Sequence, residues 1–138
     1  MGSCLLDTDT LSEVMKGRDP AVSQRARDYL TAQGVFTFSI ITRYEILRGL
    51  KARDATRQLQ AFDAQCQKSR ILLLTDEIIV RAADIYADLC RRGELISDAD
   101  ILIAATALVH RLTLVTENTD HFQRIAGLPI ESWRRLAL

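Results

Sequence analysis

The chain has 138 residues, a length that predicts one domain large enough to bury its own apolar core. Hydrophobic residues make up 48% and charged residues 26%, and the formal net charge is zero, which argues against a strongly basic surface dedicated to nonspecific nucleic-acid binding. Three cysteines without a CxxC spacing argue against a disulfide framework and a zinc site. The sequence shows neither a signal-peptide pattern nor an apolar run that could span a bilayer. We therefore expect a cytoplasmic protein without a membrane segment.

Strand and helix signals alternate along the chain. The predicted strands are short, apolar and rich in β-branched residues, and they lie at 4–7, 35–39, 70–75, 112–116 and, as a short edge strand, within 128–133. The predicted helices cover 10–15, 20–33, 42–52, 54–68, 76–92, 97–111 and 120–126. This order predicts a single α/β domain over 1–138, with a central, mostly parallel sheet of four to five strands and helices on both faces.

Acidic and polar side chains follow the carboxyl ends of the predicted strands, where open α/β sheets bind their ligands. They are Asp7 and Asp9 after the first strand, Glu45 in the helix after the second, Asp98 and Asp100 at the start of the helix before the fourth, and Glu117, Asn118 and Asp120 after it. Carboxylates that are brought together repel one another unless a cation neutralises them, and oxygen ligands suit Mg²⁺ or Mn²⁺. The pattern therefore favours a metal site that acts on phosphate esters.

Glu45 also has a purely structural interpretation. Arg48 follows it by one helical turn, and an ion pair between them would contribute only about 0.2–0.5 kcal/mol. However, Glu45 shares its side of the helix with Ile41 and Gly49, in an otherwise apolar stretch. A partly buried acid in that position favours a functional role.

Asp98 and Asp100 are not expected to face the same site, because residues two apart on a helix point about 200° away from each other. Ser97 and Asp100 have the spacing of a capping box, and Asp98 suits the positive end of the helix dipole. The block behind them is apolar apart from Thr106, which predicts a central buried helix. The residues alone leave the choice between the two aspartates open.

The remaining reactive residue types carry no recognisable motif. His110 and His121 lack the spacing of zinc ligands or of a Ser–His–Asp set, and both are interpreted as surface or core residues. Cys66 and Cys90 lie in helical stretches and are interpreted as packing residues, and there is no glycine-rich phosphate loop.

Four segments in order resemble the PIN-domain ribonuclease toxins of the VapC type from bacterial type II toxin–antitoxin systems, over nearly the whole chain. They are "LLDTD" (5–9), "FSIITRYEILRGL" (38–50), "DADILIAATA" (98–107) and "LVTENTDHFQRIAGLPIESW" (114–133). The resemblance implies a PIN-like fold and an Mg²⁺- or Mn²⁺-dependent endoribonuclease that hydrolyses phosphodiester bonds in RNA.

The same resemblance implies a role for individual residues. It makes Asp7, Glu45 and Asp100 metal-site acids and leaves Asp98 as an accessory acid of the first helical turn. It places the Thr116 hydroxyl near the metal, and it leaves open whether Asn118 or Asp120 completes the cluster. The chain departs from the family pattern in two places, because Asp9 stands where asparagine is more usual and His121 separates Asp120 from Phe122.

Partners are implied in the same way. A toxin of this type has a small antitoxin resembling VapB, whose C-terminal segment would lie over the acid cluster and whose arginine or lysine would compete with the metal. A homodimer is also implied. Leu59, Phe62 and Cys66 recur at helical spacing and offer one wall of a groove for that segment, although core packing is the favoured interpretation of this stripe.

Two other functions compete with this interpretation. "LLDTDT" fits the D-x-D-x-[TV] opening of haloacid-dehalogenase-type phosphatases, with Asp7 as nucleophile and Asp9 as general acid. The three lysines are poorly placed for that family, and the later acid pair opens a helix instead of ending a strand. The second alternative is a catalytically inactive PIN-like module that only binds RNA or a partner.

Overall fold

The computed structural model describes residues 2–134, and within that range strands and helices alternate as predicted. The strands are β1 (Cys4–Leu6), β2 (Thr37–Ser39), β3 (Arg70–Leu72), β4 (Thr113–Val115) and β5 (Ile130–Glu131). The helices are α1 (Thr8–Lys16), α2 (Pro20–Gln33), α3 (Ile40–Ala52), α4 (Thr56–Gln67), α5 (Asp76–Arg91), α6 (Asp98–His110) and α7 (Thr119–Phe122). None of these helices is both long and apolar enough to cross a membrane.

The strands form one sheet in the order β3-β2-β1-β4-β5, and every pairing in it is parallel. On β1, Leu6 is opposite Phe38 on one side and Val115 on the other. The chain builds β2 and β3 on one side of β1 and then crosses to place β4 and β5 on the other side. This arrangement creates a topological switch point between β1 and β4, at whose carboxyl ends ligands bind in such sheets.

Two apolar cores cover the opposite faces of the sheet. Side chains alternate along β1, so that Leu5 packs into one core while Cys4 and Leu6 pack into the other. The first core is completed mainly by α5 and α6, and the second by α1, α2, α4 and Trp133. Helices on both faces of a parallel sheet confirm the predicted architecture.

Local capping signals account for most of the helix ends. The Asp19 carboxylate accepts the Ala21 N–H at 2.9 Å, and Gly34 ends α2 as predicted. By contrast, α1 begins earlier than expected, at Thr8, because the carboxylate of Asp7 caps it. The residue predicted as a site acid is therefore also the N-cap of the first helix.

Candidate active site

Asp7 and Thr116 lie side by side where β1 and β4 end. The Asp7 N–H donates to the Val115 carbonyl at 3.0 Å, which continues the pairing of the two strands beyond Leu6. The Thr116 hydroxyl hydrogen-bonds the Asp7 carboxylate, and the N–H of Thr10 donates to Oδ1 of the same carboxylate at 2.8 Å. Asp7 is only 5% exposed and Thr116 is fully buried, so both side chains are held in fixed positions.

The Asp7 carboxylate is buried without a basic partner. Burial raises its pKa to about 6, and the charge of Asp9 adds to the rise, against the hydrogen bonds from Thr116 and Thr10. Among residues 2–134 no lysine or arginine forms an ion pair with it. A buried, unpaired carboxylate destabilises a fold, which favours a functional reason for its presence.

The structure distinguishes the two aspartates at the start of α6. Asp98 is exposed to solvent, whereas the Asp100 side chain is about three-quarters buried, with 26% of its surface exposed. Burial raises the pKa of Asp100 most, and the nearby charge of Glu45 raises it further. The Ser97 hydroxyl accepts the Asp100 N–H at 3.2 Å, as expected for the N-cap of this helix. Asp100 is thus the aspartate that shares an electrostatic environment with the other acids.

Glu45 is oriented from two sides. Oε1 accepts the hydroxyl of Thr8 at 2.6 Å, and Oε2 lies 3.6 Å from the guanidinium of Arg48. The ion pair considered in the sequence analysis is therefore present, but Arg48 is 58% exposed while Glu45 is only 20% exposed, so the pair leaves Glu45 largely buried. Sequence reasoning missed Thr8; the only signal was its position directly after Asp7 at a helix start.

The segment after β4 brings a histidine to the acids. Nδ1 of His121 lies 3.8 Å from Oδ2 of Asp100 and 2.8 Å from the amide nitrogen of Asn118. His121 is partly exposed, which agrees with its interpretation as a surface residue, and its ring lies against two predicted site residues, Asp100 and Asn118. Asp120, one position earlier, is exposed.

Glu117 has a different task from the other acids. Its carboxylate accepts the Ser132 hydroxyl at 2.8 and 2.9 Å, and it also accepts the N–H groups of Trp133 and Arg134, both at 3.2 Å. Trp133 is buried against the rings of Tyr29 and Phe36. Glu117 therefore fixes the segment that follows β5. The residues around Glu117 in the sequence do not indicate this contact.

The chemistry of these side chains fits a hard divalent cation. The donors are oxygens, two of the carboxylates have a raised pKa, and Asp100 is electrostatically coupled to both Glu45 and Asp9. Within residues 2–134, no three acidic, histidine or cysteine side chains lie close enough together to hold a metal ion. Binding of an ion would therefore require these side chains to move toward one another.

Comparisons with known proteins identify the family and the fold of the chain. The PIN-domain family profile matches residues 4–128. The ribonuclease VapC1 of Methanocaldococcus jannaschii is 34% identical over 121 residues, which cover 88% of this chain and 79% of that protein. The tRNA(fMet)-specific endonuclease VapC of Shigella flexneri is 28% identical over 94% of this chain and 96% of its own length. A crystal structure of DNA-bound VapBC from Salmonella typhimurium superposes with a TM-score of 0.85, at 27% identity, and covers 96% of this chain and 99% of the matched one.

Proposed function

This chain belongs to the PIN-domain family, and on that premise we propose that it is a metal-dependent endoribonuclease, the toxin of a type II toxin–antitoxin pair. The observation that carries the proposal is the switch point itself, where Asp7 and Asp100 are largely buried and no lysine or arginine of residues 2–134 pairs with either. Ribonucleases with a PIN domain generally depend on a metal ion, and these carboxylates are suited to bind one.

Asp7, Glu45 and Asp100 are the residues that would hold Mg²⁺ or Mn²⁺. The bound ion would activate a water molecule and stabilise the charge that develops on the phosphate of the substrate. The neighbouring hydroxyls keep these acids in place: Thr116 holds Asp7, and Thr8 holds Glu45. Asn118 and Asp120 belong to the segment that borders the site after β4, and the exposed Asp98 supports the start of α6 through the helix dipole.

The substrate we propose is single-stranded RNA. Tyr44 is 57% exposed, and the Arg48 guanidinium lies 5.1 Å from the centre of its ring, beside Glu45. Single-stranded RNA is recognised by stacking of its bases on aromatic rings and guanidinium planes, and by charge contacts to phosphate. Tyr44 offers a ring for base stacking and Arg48 offers a positive charge for phosphate, both next to the acids. Such a local patch does not require a positive net charge, so it agrees with the formal net charge of zero.

The partner we propose is a small antitoxin resembling VapB. A groove of about 680 Å³ runs between α1, α3 and α4, and it is suited to an amphipathic helix. Phe62 and Cys66 are buried, which agrees with the favoured core interpretation of that stripe, although Phe62 also lines the groove. The other lining residues are Ser12, Met15, Lys16, Arg18, Ile46, Leu50, Arg53, Ala55, Gln58 and Ala61. We further propose a homodimer that works in the cytoplasm.

One experiment separates this function from its alternatives. The purified chain is incubated with single-stranded RNA, and separately with a small phosphate monoester, while Mn²⁺ or Mg²⁺ is titrated. We expect RNA cleavage that requires the metal and no turnover of the monoester. Turnover of the monoester would support a phosphatase, and metal-independent RNA binding without cleavage would support an inactive binding module. Co-purification with the product of a neighbouring gene tests the antitoxin.

A further inference from the structure

The groove between α1, α3 and α4 has an apolar floor. The floor consists of Met15, Ile46, Leu50 and Ala61, which line the groove without being buried. Ile46 and Leu50 pack against the second core of the sheet, and Met15 is 36% exposed. Because apolar side chains of this kind gain free energy when another apolar surface covers them, the floor favours an occupant with an apolar face.

Three cations line the same groove and form its basic rim. Lys16 lies in the last turn of α1, Arg18 follows that helix, and Arg53 lies in the turn between α3 and α4. All three are exposed, and none of them forms an ion pair with another residue of the described range 2–134. No acidic side chain of that range lines the groove. Two separate segments of the chain therefore supply positive charge that the groove itself does not neutralise.

The acids next to the basic rim along the chain are directed elsewhere. Glu13 and Asp19 flank the two cations at the end of α1, but their carboxylates face the guanidinium of Arg134 at 3.5 and 3.6 Å. Asp54 directly follows Arg53 but does not line the groove. The basic rim is therefore available to the carboxylates of a partner.

The aromatic content of the groove distinguishes a peptide from a nucleic acid as its occupant. Single-stranded RNA is bound through bases that stack on exposed aromatic rings, together with charge contacts to phosphate. Phe62 is the one aromatic side chain among the described lining residues, and it is fully buried. A floor of aliphatic and thioether side chains beside positive charges instead suits a helix whose apolar stripe is flanked by carboxylates.

We propose that the groove binds an acidic amphipathic helix of the partner protein, whose apolar stripe covers the floor and whose aspartate or glutamate side chains pair with the basic rim. The inference rests on the proposed antitoxin and specifies the chemistry of the segment that occupies the groove. Asp7 caps the start of α1 and Lys16 lies in its last turn, so the nine residues of this helix, about 14 Å, separate the acid cluster from the basic rim. The partner segment therefore needs acidic side chains over the end of α1, whereas a basic side chain suits the acids at its start.

A library of helical peptides tests the chemistry of the groove without any measurement of activity. Each peptide has about four helical turns and an apolar stripe, and the positions beside the stripe encode glutamate, glutamine and lysine in equal amounts. The library is selected for binding to the full chain with a chelator present, and the bound peptides are sequenced. We expect the wild type to enrich glutamate over lysine at the flanking positions by at least roughly tenfold.

Reversal of the rim charges gives the second measurement. In a variant that combines Lys16→Glu, Arg18→Glu and Arg53→Glu, the same selection should enrich lysine. The glutamate-rich peptide selected by the wild type should bind this variant at least roughly tenfold more weakly, as measured by fluorescence anisotropy. Its binding to the wild type should also weaken when the salt concentration rises from about 0.1 M to about 1 M, which shortens the range of these charges from about 10 to about 3 Å.

A matched control separates the groove from the charge of the whole chain. Arg27→Glu, Lys68→Glu and Arg81→Glu, combined in one variant, make the same change in net charge at exposed positions outside the groove. This variant should select glutamate as the wild type does. Circular dichroism of both triple variants confirms that they are folded.

Several results would overturn the acidic helix. They are a wild-type selection that enriches lysine, that enriches neither charge or that yields no binder, and equal behaviour of the two triple variants. Single-stranded RNA that binds the wild type but not the rim variant, with an unchanged peptide selection, would assign the groove to nucleic acid instead. A neighbouring-gene product that binds both triple variants equally tightly would overturn the role of the groove and keep the antitoxin. Because the selection involves neither metal nor RNA, each of these results leaves the metal-dependent ribonuclease function standing.

Discussion

The hydroxyl of Thr8 lies 2.6 Å from Oε1 of Glu45 and connects the first residue of α1 to α3. Thr8 directly follows Asp7, whose carboxylate caps the same helix. One helix start therefore fixes two of the proposed metal-site acids, Asp7 by its own capping contact and Glu45 through a neighbouring hydroxyl. In the Asp-Thr pair after β1, Asp7 supplies a carboxylate and Thr8 supplies the hydroxyl that holds Glu45.

Removal of the Thr8 hydroxyl is predicted to reduce RNA cleavage more than stability. Thr8→Val keeps the shape of the side chain but leaves Glu45 without its short hydrogen bond, so we expect a loss of roughly tenfold or more in cleavage rate. The free energy of unfolding should fall by about 1–3 kcal/mol, because the Thr8 hydroxyl also contacts the buried hydroxyl of Thr42 at 3.1 Å and both contacts are lost. Thr8→Ser should retain most of the activity, and Thr31→Val, on the exposed side of α2, is the control. A fully active Thr8→Val would show that Glu45 does not need this contact.

The buried carboxylate of Asp7 is predicted to destabilise the metal-free protein at neutral pH. Burial raises its pKa to about 6 from an ordinary value of 3.8. The folded state thus holds the proton more tightly than the unfolded state, and stability is lost as the pH rises through about 6. The difference corresponds to about 3 kcal/mol at most.

Asp7→Asn tests this relationship because asparagine still caps α1. In urea unfolding with a chelator present, we expect the variant to be more stable than the wild type by about 1–3 kcal/mol at pH 7.5. The difference should largely disappear by about pH 3, which lies below the ordinary pKa of 3.8, because Asp7 is then mostly protonated in both the folded and the unfolded state. A difference that does not change with pH would mean that Asp7 is not ionised at neutral pH or is neutralised by another group.

The elements of the fold were predictable because each has a local cause. Asp19, Pro20 and Gly34 define α2 by themselves, and the apolar runs define the strands. The start of α1 was misplaced because Asp7 acts as both strand end and helix cap. The acids were predictable as a group from the parallel sheet, since its strand ends meet at one edge.

The contacts between site residues depend on tertiary packing and could not be read from spacing. Nothing in the sequence connects Thr8 with Glu45, or His121 with Asp100, because each pair joins different helices. The choice of Asp100 over Asp98 needed either a family resemblance or the observed burial. Glu117 follows β4 like the site residues and was grouped with them from the sequence. In the structure its carboxylate instead accepts the hydroxyl of Ser132.

Tyr44 is predicted to contribute to RNA binding. In an Asp100→Asn background, which prevents cleavage, Tyr44→Ala should weaken the binding of single-stranded RNA by roughly five- to a hundredfold, the usual effect of losing one stacked base. Tyr86→Ala is the matched control, since Tyr86 is 47% exposed on α5. Fluorescence anisotropy measures both affinities. If Tyr44→Ala leaves the RNA affinity unchanged but alters the sedimentation coefficient, Tyr44 instead contacts a second copy of the chain.

Glu117 is predicted to matter for stability and not for catalysis. Glu117→Ala leaves the Trp133 and Arg134 N–H groups and the Ser132 hydroxyl without their acceptor, and we expect a loss of about 1–3 kcal/mol in the free energy of unfolding. The control, Glu77→Ala at an exposed position of α5, should change stability by no more than about 0.5 kcal/mol. RNA cleavage per folded molecule should be unchanged in both variants; a specific loss in Glu117→Ala would add Glu117 to the active site.

The proposed metal-dependent ribonuclease activity is tested most directly by the aspartate pair at the start of α6. Single-stranded RNA is incubated with Mn²⁺ and equal amounts of wild type, Asp98→Asn or Asp100→Asn, after circular dichroism has shown that all three are folded. We predict that Asp100→Asn abolishes cleavage, while Asp98→Asn stays close to the wild type and loses at most about 1 kcal/mol of stability. Cleavage by Asp100→Asn at the wild-type rate, or cleavage that persists when a chelator removes the metal, would contradict the account.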